Sequence, residues 1–297
     1  MALAATVPYL LLKTAWLSGS RIGIPEGSAL REVGPFLTAA NAVTLAMDAS
    51  VILLVLVVTR PWGRRVPSML LTVPAFVATG LLSPILIGFP GQLLIRALGF
   101  GAGGSAGVER AAFLEPWVFT VVYTGFTLQG LALAALFVPY VRERWGQRWR
   151  DAARERLPLP TGVVAGAAVA VGLAVGATYL YWAFGGSTGM AAERAAASSA
   201  ETGLISAVHG ACALAAGAGA LLQARGGRGR WPLALGWTGS AAALCWGLFA
   251  LITALGPQLD GGEAPPPAAL LAYAGQMITG CLGAFVLIRS LASTREG

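Results

Sequence analysis

The sequence predicts an all-α membrane protein with eight transmembrane helices, arranged as two parallel four-helix repeats. Three observations carry that expectation. Of the 297 residues, 56% are hydrophobic and only 11% are charged, whereas an average soluble domain is roughly 25% charged. Mean hydropathy is +0.71, and a water-soluble fold of this size could not hide that much apolar surface behind so few charges. The arginines, finally, gather in blocks between alternate apolar runs. This composition excludes an ordinary cytosolic enzyme, a disordered chain and a nucleic-acid-binding domain.

A helix crossing the hydrocarbon core needs about 20 apolar residues. Eight runs qualify or nearly so: 3–18, 38–59, 68–88, 117–140, 161–184, 203–223, 233–255 and 268–289. Strands of a membrane barrel would be about 10 residues long with alternating polarity. These runs are longer and do not alternate. The first run lacks a basic leader, and Lys13 interrupts it, so it reads as a retained helix rather than a signal peptide. The runs divide the chain into one four-helix unit over 1–140, a basic linker over 141–160 and a second unit over 161–297.

Lys/Arg asymmetry sets the expected orientation. Fourteen arginines lie on one set of connections, in 60–65, 142–156, 225–230 and the tail. Five lie on the other: Arg21, Arg31, Arg96, Arg110 and Arg194. Eight of the thirteen acids join those five. With eight spans, both termini fall on the arginine-rich side, which predicts a multi-pass protein of the cell membrane with both termini cytoplasmic. The net charge of +7 follows from this placement rather than from a nucleic-acid surface.

The two units resemble one another. Trp16-Leu-Ser-Gly19-Ser-Arg-Ile-Gly23 and Trp182-Ala-Phe-Gly185-Gly-Ser-Thr-Gly189 both read W-x-x-G-x-x-x-G, 166 residues apart. Arg60-Pro-Trp-Gly-Arg64-Arg-Val-Pro67 matches Arg225-Gly-Gly-Arg-Gly-Arg230-Trp-Pro232 at an offset of 165. Each unit has an even number of spans, so both enter the membrane the same way round, related by an axis along its normal.

The phrase Tyr179-Leu-Tyr-Trp182-Ala-Phe-Gly185-Gly-Ser-Thr-Gly189 resembles the signature of an uncharacterised bacterial four-helix membrane family, domain of unknown function 3995. In that family an aromatic-Trp-x-x-Gly-Gly motif lies where the first helix leaves the membrane. The resemblance covers both halves and is closer in the second. The first copy has Ser18-Gly19-Ser20 in place of the double glycine, and Lys13 and Tyr179 stand where the family often has a histidine. The family has no established activity, so the resemblance implies fold and topology only.

Charged and polar residues inside the spans are the candidate functional groups, because each is costly in hydrocarbon. Lys13 and Asp48 have opposite sign and lie on consecutive antiparallel helices. They are expected to form an ion pair, with Asn41 and Thr44 on the Asp48 face at helical spacing. Such a pair serves either to fix helix register or as a binding or relay site; the remaining alternative is that the two charges do not pair. His209 is the sole histidine. It lies at the repeat position of Thr44, with Cys212 one turn later, and reads as an interhelical hydrogen-bonding group or a proton relay. Zinc wants three or four ligands, so no metal is expected, and no cofactor either. Gln129 and Gln276 occupy corresponding fourth and eighth spans and are expected to bond neighbouring helices. Cys212, Cys245 and Cys281 lie in apolar runs without CxxC spacing and read as packing residues.

Small-xxx-small spacing at Gly162/Gly166, Gly172/Gly176, Ala213/Gly217, Gly239/Ala243/Gly247 and Gly275/Thr279/Gly283 points to close helix packing, with a homo-oligomer or another membrane partner as a further use. In the linker, Trp145, Trp149, Ala152, Ala153 and Arg156 recur at helical spacing among arginines. They read as an interfacial helix on anionic headgroups or as a solvated loop. The loop 89–116 is expected to hold a short interfacial segment from Gln92 to Leu98 and then a flexible linker. Gly99-Phe-Gly101-Ala-Gly-Gly104 fits G-x-G-x-x-G, but no strand precedes it. Walker, GxSxG and HExxH patterns are missing from the sequence.

The favoured expectation is a non-enzymatic membrane protein that binds or moves a small or lipophilic molecule where the repeats meet. The alternatives are a membrane enzyme acting on a lipid or quinone-like substrate through Asp48 and His209, and an accessory subunit. Convergence of Lys13, Asp48 and His209 on one cavity would favour a carrier or an enzyme.

Overall fold

A computed structural model describes residues 2–31, 34–101, 114–152, 159–226, 230–256 and 264–293. Eight long helices appear in the expected order: α1 (Ala2–Leu17), α2 (Pro35–Thr59), α3 (Ser68–Ala97), α4 (Pro116–Ala152), α5 (Leu159–Ala183), α6 (Ala200–Ala224), α7 (Trp231–Leu255) and α8 (Pro267–Ser293). No described residue is in a strand. Seven of the helices are long and apolar enough to cross a membrane. At 16 residues, α1 spans only about 24 Å at 1.5 Å per residue. The chain is therefore built as a polytopic helical membrane protein.

Two elements differ from expectation. Helix α3 continues to Ala97 despite Pro74, Pro84 and Pro90 inside it, so Gln92–Leu98 extends the third span and is not a separate interfacial segment. Neighbouring helices supply the packing that lets proline persist in such a helix. Helix α4 runs unbroken from Pro116 to Ala152, so the first part of the linker prolongs the fourth span. The side chains of Trp145 and Trp149, and residues Ala153 and Arg156, lie outside the described residues, as do Gly104, Arg110 and Arg228.

Within each half, every helix touches the next and the last touches the first: α1–α2–α3–α4–α1, then α5–α6–α7–α8–α5. The second ring is packed through small residues. A Cβ on Gly172 would meet the Ala213 carbonyl oxygen at 2.9 Å, and one on Gly217 would meet that of Ala168 at 3.1 Å. Gly239 lies against the Ala216 backbone, and Gly247 against that of Met277. Gly162 and Gly166 face open space, so that predicted pair packs against no other helix.

The halves meet chiefly through α3, which lies on α6 and α7. Gly80 abuts the Ala241 carbonyl, while Gly88 and Gly91 leave room for Ile205 and Leu204. Trp237 stacks edge-on to Phe76 at 5.3 Å and donates its indole N–H to Thr79 Oγ1 at 3.2 Å. The Trp246 indole donates to the Leu81 carbonyl at 3.3 Å. Where α3 ends, Arg96 binds Glu201 with both arms of its fork, at 2.8 and 2.6 Å. Glu201 is almost wholly buried in the first turn of α6, where the helix dipole also favours an acid. Ser199 and Thr202 close that helix start as a capping box.

Opposite outcomes are expected at two glycines. Gly239→Ala puts a methyl into the Ala216 backbone and should lower stability by about 1–3 kcal/mol. Gly166→Ala meets nothing and should raise it by about 0.5–1 kcal/mol through helix propensity. Thermal unfolding of the two purified variants checks the signs.

Candidate functional site

Most of the polar residues singled out in the spans sort into two clusters, one per half. In the first half, Lys13 donates to Asn41 Oδ1 at 2.7 Å and lies over the rings of Tyr9 and Trp16 at 5.2 and 5.1 Å. Thr44, one turn from Asn41, hydrogen-bonds the Tyr9 hydroxyl. Asp48 is buried and hydrogen-bonds Gln129 of α4. Among the described residues Lys13 and Asp48 make no direct ion pair: the amine is held by Asn41 and the carboxylate by Gln129. Asp48 Oδ2 and Gln129 Oε1 are both buried and both without a hydrogen-bond partner. Two adjacent empty acceptors can receive a proton or a donor-bearing group, since a buried acceptor left unpaired costs about 1–3 kcal/mol.

In the second half the polar groups form a closed chain. The Tyr179 hydroxyl donates to Gln276 Oε1 at 2.6 Å, and Gln276 Nε2 lies 3.2 Å from His209 Nδ1. If Gln276 is the donor there, Nδ1 is the acceptor and the ring carries its proton on Nε2. Trp246 packs edge-on against the imidazole at 5.2 Å. Arg194 reaches the Tyr273 hydroxyl at 2.9 Å. Gln129 and Gln276 therefore each bond a neighbouring helix, as their placement predicts. Asp48 and His209 share no partner, so an acid–base pair between them is not assembled among the described residues. Groups of three or more metal-ligating side chains are likewise not found among the described residues, and Cys212 and Cys245 are partly buried free thiols.

The tryptophan–glycine motif builds one local structure twice. Helix α1 ends with Gly19 N–H on Trp16 O and Ser20 N–H on Ala15 O, and α5 ends with Gly185 N–H on Trp182 O and Gly186 N–H on Tyr181 O. Each is a Schellman cap, which needs a left-handed residue just past the helix. Gly19 and Gly185 supply it with φ of +89° and +93°. The Trp16 indole donates to Ile22 O at 2.8 Å and the Trp182 indole to Thr188 O at 3.1 Å. Gly23 and Gly189 then turn again at φ +72° and +80° and press on Val118 and Ala268, in the first turns of α4 and α8.

A feature that sequence reasoning missed lies between the halves. A cavity of about 530 Å³ opens among α2, α3, α4 and α7. Alanines and leucines such as Ala75, Ala78, Leu82 and Leu133 line it, with Ser83 and Gly130 toward its inner end and Arg142 and Arg230 at the arginine-rich end. From Gly130 to Arg142 along α4 the lined stretch is about 18 Å at 1.5 Å per residue. None of the polar residues singled out from the sequence lines it. Spacing could not reveal it, because its walls come from four helices.

Comparison with family models, curated proteins and solved structures finds no match for this chain. The fold and these two kinds of site define its class: a multi-pass helical membrane protein with buried polar clusters and an apolar cavity between its halves.

Removing one charge of the first cluster should cost more than removing both. Lys13→Met leaves the Asp48 carboxylate without a nearby cation. Its loss in melting temperature should exceed that of Lys13→Met combined with Asp48→Leu, with a coupling of about 0.5–3 kcal/mol across the double-mutant cycle. Purely additive losses remove the coupling.

Proposed function

We propose that this chain is a non-enzymatic membrane protein that holds a small lipophilic molecule in the cavity where its two halves meet. One observation carries the reading. The cavity is largely apolar, about 530 Å³ in volume and walled by helices of both halves. That volume falls within the roughly 300–1,000 Å³ of small-molecule sites, which favour a mainly apolar lining with a few polar groups. The reading also takes the halves as tandem copies of one four-helix unit of the kind found in domain of unknown function 3995. The twice-built Trp–Gly turn and the matching helix order support it. The arginine-rich ends, Arg142 and Arg230 among them, face the cytoplasm, as the charge asymmetry supports.

A neutral alkyl diazirine probe in phosphatidylcholine vesicles containing the full chain tests the reading. Photolabelling should fall on cavity-lining segments of α3, α4 and α7, saturate with probe, and drop at least tenfold in Ala78→Phe, whose ring occupies the space. Labelling confined to the lipid-exposed faces, unchanged in that variant, overturns the proposal. Orientation is checked separately by single cysteines at positions 62 and 231. Both should react with an impermeant maleimide only from the cytoplasmic side.

A further inference from the structure

Resting on that reading, we infer that the molecule held in the cavity is an anionic membrane lipid. Its acyl chain lies between α3, α4 and α7, and its headgroup phosphate sits between Arg142 and Arg230.

The inference starts from where charge meets oil. The cavity wall is largely aliphatic and aromatic, with Thr79, Ser83 and Thr238 among it, and its two charged lining residues, both arginines, stand at one end. Arg142 lies near the end of the α4 span and Arg230 caps the start of α7. Both are exposed, and neither guanidinium has an ion-pair or hydrogen-bond partner among the described residues. Arg96, by contrast, has its fork filled by Glu201. Two unfilled guanidiniums at the rim of an apolar slot match one ligand shape: an anionic oxygen-rich head on a hydrocarbon tail. A guanidinium fork binds phosphate oxygens with paired, charge-assisted hydrogen bonds. Basic pockets between membrane helices on the cytoplasmic side hold anionic headgroups for this reason.

The length of the cavity agrees. A free soluble anion would satisfy the arginines but leave the apolar length empty, whereas a neutral lipid would fill the length and leave the guanidiniums unpaired. The two arginines come from different halves, so one lipid would tie the first half to the second at the end remote from the Arg96–Glu201 pair.

Photoactivatable phosphatidylglycerol and phosphatidylcholine with the same diazirine chain test the headgroup. Each is used at the same trace fraction in phosphatidylcholine vesicles containing the full chain. Cavity labelling should favour phosphatidylglycerol by about thirtyfold, taking about 1 kcal/mol per arginine near an anionic surface. The preference should fall about fivefold in Arg142→Gln or Arg230→Gln and vanish when both are replaced. Arg60→Gln, at the same end but outside the cavity, should leave it intact. Equal labelling by the two lipids, abolished for both by Ala78→Phe, overturns the headgroup assignment while the lipophilic site stands. A preference that survives loss of both arginines overturns it too. Labelling that Ala78→Phe leaves untouched removes the cavity reading itself.

Discussion

Close approach of helix backbones along α3 is the constraint on which this structure depends. Inside a bilayer, apolar side chains gain little by leaving lipid for protein, so helices associate through dispersion and through small residues that let backbones meet. Gly80, Gly88 and Gly91 let α3 come against α7 and α6. Trp237 and Trp246 then spend their indole N–H groups on Thr79 and Leu81 of the same helix. The same helix also leaves the gap. Ala75 and Ala78 of that helix line the cavity. Contact and void thus come from one kind of residue, decided by what stands opposite.

The lack of water in the hydrocarbon core explains the two polar clusters. Each polar side chain there must find a partner within the protein. The second half answers this completely around His209, where Tyr179, Gln276 and the imidazole form one chain of buried groups. The first half answers it partly. Lys13 and Asp48 are each held by an amide, while one oxygen of Asp48 and one of Gln129 are left empty. Elsewhere in the second half Gln223 Oε1 and Ser240 Oγ are also buried without a partner.

The tryptophan–glycine turn shows how local chemistry can repeat where tertiary packing does not. Helix α1 and helix α5 stop in the same way because glycine alone reaches the left-handed conformation without strain. An indole N–H at the membrane edge needs an acceptor, and the returning loop offers one. Beyond that turn the halves diverge. Position 13 is a lysine on an asparagine, and position 179 is a tyrosine on a glutamine.

Hydropathy, charge blocks and turn glycines in the sequence by themselves determined the class of fold, the number and order of the long helices, and the turns after α1 and α5. These are local properties, set by apolar length and by backbone conformations a few residues long. The same local signals ended the third span near residue 88 although α3 continues to Ala97, because apolar length marks where a span can cross and not where its helix stops. They identified Lys13, Asp48, His209, Gln129 and Gln276 as buried polar groups, since a charge or amide in an apolar run is visible one residue at a time. Which partner each takes, the separation of Asp48 from His209, the Arg96–Glu201 pair and the cavity between Arg142 and Arg230 were decided only by the tertiary structure. Each depends on the rotation of one helix against another, which the period of a single helix does not contain.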